Sequence, residues 1–153
     1  MTEKERLLVL SDLSARQCYG VMLKRVGSYR YTAELHHIEP NSSLPIYIDR
    51  GEYMPAPYAV EDWKPLLRKI SSMTESEKDE LFREFNDKYA IISSYCIDCN
   101  NHWSIKSREE PIGFPSVQYD SMRDVIHWFY KNNFDINGLI EKGLAEEATE
   151  KNL

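Results

Sequence analysis

Cys96, Cys99 and His102, in the stretch Tyr95-Cys96-Ile97-Asp98-Cys99-Asn100-Asn101-His102-Trp103, are the one close grouping of residue types with chemistry beyond packing and solubility. Two thiolates separated by two residues can reach a single zinc ion, and a nearby imidazole can join them. A closed tetrahedral site needs a fourth ligand, and the chain has no second Cys-x-x-Cys pair to supply it. Cys18, His36 or His37 would have to complete the set by packing beside this loop. The plainer reading is two small thiols and a surface histidine in a loop. On this reading the sequence assigns no catalytic, cofactor-binding or metal-ligating residue. A zinc-binding module or metal-dependent enzyme using Cys96, Cys99 and His102 is the alternative.

Joining His37-Ile38-Glu39 to Cys96-x-x-Cys99 imitates the zinc-deaminase pattern, in which His and two Cys bind the metal while Glu moves protons. That element should open a helix, yet Pro40 follows at once and the preceding residues are strand-like. Tyr95 also stands where the pattern requires Pro. A thioredoxin-like reading needs Cys96 to open a helix that lowers its thiol pKa, and Asn100-Asn101-His102-Trp103 is a poor helix start. Gly-rich phosphate loops, a Gly-x-Ser-x-Gly elbow and a His-Glu-x-x-His helix are all absent from the sequence.

A chain of 153 residues has the size of one domain and buries roughly 70% of the surface it exposes when unfolded. Its 42% hydrophobic and 12% aromatic content, with ten Tyr and three Trp, marks a folding rather than a disordered sequence. The net charge of -6 opposes the counterion-release attraction that drives binding to nucleic acid, so no nucleic-acid partner is expected. Arg16, Lys24, Arg25 and Arg30 could form a local basic patch if the strands they lie on pair, and solvated sheet-face residues are the plainer reading. The charged start Met1-Thr2-Glu3-Lys4-Glu5-Arg6 is not a secretion signal, and no apolar run approaches the ~20 residues of a membrane span. A cytoplasmic location with free thiols is therefore expected.

The elements that must position these residues follow from periodicity and turn chemistry. Thr2 and Glu5 form a capping box, and Leu7, Leu10 and Leu13 predict a first helix ending near Arg16. Val21–Val26 and Tyr29–Ile38 predict two strands joined at Gly27-Ser28. In the second, Tyr29, Tyr31, Ala33 and Leu35 alternate with Arg30, Thr32, Glu34 and His36, giving one apolar and one wet face. Ile46-Tyr47-Ile48 predicts a third strand. From Arg50 to Pro65 four glycine and proline positions predict an irregular connection with one helical turn near Asp62. Thr74 and Glu77 cap another helix, with Leu81, Phe82, Phe85 and Tyr89 on one face. Ile91-Ile92 and Trp103-Ser104-Ile105 read as short strands. A last long helix starts at Asp120 or Ser121, carries Met122, Val125, Ile126 and Phe129, and ends at Asn132-Asn133. Leu139, Ile140 and Leu144, between Gly138 and Gly143, suggest one more short helix. The expected architecture is a single α+β domain over 1–145, a small antiparallel sheet from the N-terminal half packed against amphipathic helices, followed by a polar tail over 146–153.

Three phrases stand out in order along the chain: Leu13-Ser14-Ala15-Arg16-Gln17-Cys18-Tyr19-Gly20-Val21, Lys64-Pro65-Leu66-Leu67-Arg68-Lys69-Ile70-Ser71-Ser72-Met73-Thr74, and Val125-Ile126-His127-Trp128-Phe129 continuing through Phe134-Asp135 to Gly138-Leu139-Ile140-Glu141-Lys142-Gly143-Leu144-Ala145. They resemble a family of small uncharacterised proteins of Bacteroidetes-type bacteria and their phages or prophages. The resemblance implies a phage or mobile-element context and carries no catalytic residue. Tyr29, Tyr31, Tyr47, Tyr53 and Tyr58 crowd the sheet and the Pro-rich connection, where core and rim packing is the plainer reading and a protein-binding surface the other; with no assembled active site in the sequence, the function expected is non-enzymatic protein interaction through that surface. Another protein is the expected partner, with self-association as the remaining reading.

Overall fold

A computed structural model describes residues 1–27, 31–48, 55–89, 92–97, 103–107 and 115–149; at 82, 84–89, 92–97, 103–107 and 115–122 the description is of backbone alone. Two compact units emerge, one from Met1–Arg68 with Asn137–Leu153 and the other from Lys69–Ile136. Each has its own apolar cluster, where the sequence suggested one core.

The first unit opens with α1 (Glu3–Arg16), whose capping box forms as expected: Thr2 Oγ1 accepts from the Glu5 amide, and Glu5 accepts from the Thr2 amide at 2.7 Å. The buried residues are Val9, Leu10, Asp12, Leu13 and Arg16, while Leu7, placed on the same stripe by spacing, is 58% exposed. After a 3₁₀ turn (Gln17–Tyr19) come β1 (Met22–Arg25), β2 (Thr32–Ile38), β3 (Ile46–Ile48), β4 (Ala56–Tyr58) and β5 (Trp63–Leu67), and the unit closes with β8 (Glu146–Glu147). The six strands form one sheet in the order β4-β3-β2-β1-β5-β8, antiparallel except where β8 joins β5. Leu23, Ala33 and Leu35 face the core with Val9, Leu10 and Leu13 of α1, as the alternation predicted. Tyr31 departs from its predicted buried face and is partly exposed at 39%.

Two strands occupy the stretch expected to be irregular. Proline is tolerated in them for identifiable reasons. Pro57 lies on the edge strand β4. Pro65 lies opposite Leu23, one step from the hydrogen-bonded Lys24–Lys64 pair implied by the Val26 amide donating to the Asp62 carbonyl. In an antiparallel ladder these pair types alternate, so position 65 owes no N–H to β1. On its other side β8 pairs only Leu66 and Leu67. The helical turn near Asp62 is present over Val60–Asp62.

Glu146 and Glu147, assigned from sequence to a polar tail, thus form a strand. The register explains it: Lys24 and Lys64 stand directly opposite each other, a like-charge pairing that destabilises a sheet. Glu146 brings a carboxylate 2.6 Å from Lys24 Nζ and offsets that repulsion. The short helix expected around Leu139–Leu144 is instead a single closed turn. The Leu144 amide donates to the Leu139 carbonyl and the Gly143 amide to that of Ile140, the bonding of a helix terminus without the helix, and Gly143 takes the left-handed φ of +70° that this closure requires. Leu139 and Leu144 are buried across it.

The second unit contains α2 (Glu75–Tyr89), a two-stranded antiparallel hairpin of β6 (Ile92–Ile97) and β7 (Trp103–Ser107), and α3 (Pro115–Lys131). The Thr74–Glu77 capping box forms at the start of α2. α3 begins at Pro115, ahead of the Asp120 or Ser121 start expected, because proline at a first helical position needs no N–H partner. Its end is as predicted: Asn133 adopts a left-handed φ of 56°, and the Phe134 amide donates back to the Phe129 carbonyl. Phe129 and Phe134 meet at 5.8 Å between ring centroids, sealing that terminus with an apolar contact. Ile70, Met73, Leu81, Val125 and Trp128 complete the cluster.

The Glu5 carboxylate is held below its ordinary pKa, first by the hydrogen bond from the Thr2 backbone and then by the Thr2 hydroxyl. A carboxylate depressed in the folded state stabilises above its unfolded pKa, and the contribution disappears as pH falls through the folded value. Glu5→Gln is therefore expected to be less stable than the parent at neutral pH and to converge with it as pH falls through the folded value, which flattens the acid limb of its stability curve. Urea midpoints measured from pH 7 down to pH 3 check this; a variant with the same acid slope as the parent contradicts it.

Candidate functional site

At the β2–β3 pairing, Leu35 opposes Ile48, but His37 rather than His36 opposes Tyr47, so His36 is an extra residue in β2. Adjacent side chains of a regular strand point to opposite faces. The bulge re-aims one of them, and the two imidazoles meet with Nδ1···Nδ1 at 2.8 Å and rings at 72°. The other nitrogen of His37, Nε2, stands 3.6 Å from Glu39 Oε1. Tyr47 stacks on the His37 ring at 4.1 Å and 15°, and its hydroxyl donates to Glu39 Oε2 at 3.1 Å. Desolvation, then the Glu39 hydrogen bond and charge, raise the Tyr47 phenol above its usual pKa and keep it a donor. Gln17 Oε1 accepts the Ile38 amide at 3.1 Å, tying the 3₁₀ turn to this end of β2.

His37-Ile38-Glu39 therefore lies at a strand end and not at a helix start, as a deaminase site would need. Cys96 lies on β6, paired with Ser104, so it is not the loop residue expected. Cys99 and His102 lie outside the described residues. Cys18 is an exposed thiol in the 3₁₀ turn. Among the described residues, no group of three or more His, Cys, Asp or Glu side chains is placed so that all of them could hold one metal ion.

A second feature is aromatic. Trp63 is buried, and Tyr31 and Tyr58 both approach its ring at 5.6 Å in tilted and edge-on geometries. The Trp63 indole N–H has no acceptor among the described residues. Tyr29 and Tyr53 lie outside the described residues. In the other unit Trp128 is buried against Phe129 and Phe134, with its N–H directed to Glu80 Oε1 at 3.4 Å, whereas His127 is exposed.

A third feature was misread from sequence. Arg16, expected on a solvated sheet face, is fully buried on α1, with Nε 2.6 Å from Asp12 Oδ2 and Nη2 3.1 Å from Asp12 Oδ1. Asn137 Nδ2 also donates to Asp12 Oδ1, at 2.7 Å. The i,i+4 spacing of Asp12 and Arg16 was visible; the burial of both was not. This cluster is architectural: each polar atom named is spent on another of the same set.

No protein-family model, no curated protein and no solved structure matches this chain. Among the described residues, no helix is long and apolar enough to cross a membrane.

Removing one partner of a buried ion pair leaves the other charge uncompensated, whereas replacing both by apolar groups is often neutral. Asp12→Ala is expected to cost about 3–5 kcal/mol, and Asp12→Leu combined with Arg16→Met distinctly less. Urea unfolding of both variants tests the ordering, and a double variant as damaged as the single one contradicts it.

Proposed function

We propose that this protein is a non-enzymatic interaction domain of a phage or mobile element that binds another protein through the aromatic end of its sheet. The observation that carries the reading is Tyr31: a partly exposed ring held against buried Trp63, with Tyr58 on the same indole. A tyrosine already immobilised by packing loses little side-chain entropy on binding, and Tyr and Trp dominate interface energetics. Val26, just past the end of the adjacent strand β1, is a second exposed apolar residue at 48%. Support for the phage or mobile-element context comes from the three phrases alone, and it names no partner.

The test is affinity capture with the intact chain as bait from cells carrying the element, followed by binding measurements on the captured protein. Tyr31→Ala, at an exposed position, is expected to fold normally and to weaken binding by tenfold or more, about 1.4 kcal/mol. Capture of no protein, together with turnover of a small substrate by the pure chain, reverses the reading.

A further inference from the structure

We propose that His36 and His37 form a solvent-open site for a late first-row divalent cation, favouring the square-planar or tetragonal geometry of Cu²⁺ and Ni²⁺ over tetrahedral Zn²⁺. Three features of the geometry lead to it.

The first is the distance. Two nitrogens in adjacent positions of a square plane, with bonds of about 2.0 Å, lie about 2.8 Å apart, whereas a tetrahedral centre separates them by about 3.3 Å. The Nδ1 atoms are already 2.8 Å apart. In the metal-free protein they share a hydrogen, one ring donating and the other accepting. His37 stays stacked on Tyr47, and the exposed His36 ring turns to bring its Nδ1 lone pair and that of His37 onto a common point; the His37 side chain retains 33% of its accessibility. The proton balance is simple for neutral rings: the donor ring moves its hydrogen from Nδ1 to Nε2, both Nδ1 lone pairs become free, and no net proton is released.

The second is the surrounding shell. A metal-bound imidazole characteristically presents its other ring nitrogen to a carboxylate, which fixes tautomer and orientation. Glu39 Oε1 stands 3.6 Å from His37 Nε2, and Tyr47 holds the opposite carboxylate oxygen by the hydrogen bond from its hydroxyl. That arrangement favours hydrogen on Nε2 and a free lone pair on Nδ1 of His37. Stacking on Tyr47 fixes the plane of the same ring.

The third is that the backbone is built for it. Without the bulge at His36, two consecutive strand residues would project to opposite faces and could not share an ion. The pair supplies two ligands, and the remaining coordination positions are left to water or to a donor from a bound molecule. Imidazole nitrogen suits Cu²⁺ and Ni²⁺ and is a poor ligand for Mg²⁺ or Ca²⁺.

Titration calorimetry of the intact chain with Ni²⁺, which an exposed thiol such as Cys18 does not reduce, reads the stoichiometry and affinity. Ni²⁺-induced changes in backbone amide signals locate the ion, as shifts alone if it is square-planar and diamagnetic and as broadening if it is tetragonal and paramagnetic. One equivalent is expected, with the shifts or broadening centred on residues 36–38 and Tyr47. His36→Gln and His37→Gln are each expected to weaken binding by at least about tenfold, with Glu39→Gln causing a smaller loss. The Cys96→Ser/Cys99→Ser variant should bind as the parent does. Binding that survives both histidine variants, shifts or broadening centred elsewhere, or loss of the ion in the cysteine variant would each overturn the proposal.

Discussion

The first unit depends on the buried contact of Asp12 with Arg16 and Asn137. Desolvating a carboxylate and a guanidinium is costly, and the cost is recovered only where geometry is good and the remaining valences are satisfied. Here the carboxylate receives both Arg16 nitrogens and the Asn137 amide. Asn137 lies 125 residues further along the chain than Asp12. The hydrogen bond therefore pins the returning C-terminal segment to α1. Leu139, Leu144 and Ala145 enter the same apolar cluster as Val9 and Leu13, and β8 follows at the sheet edge. The chain leaves this unit at Arg68 and re-enters at Asn137, so the polar contact sits at the point of re-entry.

The sheet edge at β2–β3 is governed by a different constraint. Inserting one residue in β2 breaks the two-residue period that otherwise separates neighbours. A regular ladder would have given one histidine to each face, each with its own surroundings. The bulge instead places both imidazoles, the Glu39 carboxylate and the Tyr47 ring in one cluster whose members orient each other. The aromatic end of the sheet shows the same economy. Trp63 serves as core for the first unit and as a platform for Tyr31 and Tyr58.

Much of the fold was legible. Both capping boxes, the strand alternation in β2, the third strand, the helical turn near Asp62 and the end of α3 follow from local chemistry that acts within four or five residues. What was missed shares a physical cause. β4 and β5 contain prolines that a sequence reading takes as breakers, and only the pairing register shows that neither proline was asked for a ladder bond. Glu146 and Glu147 look like tail residues until Lys24 is seen opposite Lys64. Leu7 and Leu10 are both leucines on one helix, and which one is buried depends on what lies beneath. For the candidate site, His36, His37 and Glu39 were all noticed in the sequence, but as donors to a cysteine cluster or as a strand end, because a bulge leaves no signature in residue types alone.

The amino-acid sequence by itself determined the α+β fold class, the capped starts of α1 and α2 and the C-terminal ends of α1 and α3. Caps, periodic apolar positions and glycine-bearing turns are local energies, each set by residues a few positions apart. Tertiary structure alone decided the division into two units, the burial of Arg16 and the meeting of His36 with His37. Each of those depends on which distant segment supplies the partner: Asn137 for Asp12, Glu146 for Lys24, and the register of Tyr47 against β2. Such pairings are chosen by the balance of desolvation and contact across the whole chain, and no window of sequence contains both sides of it.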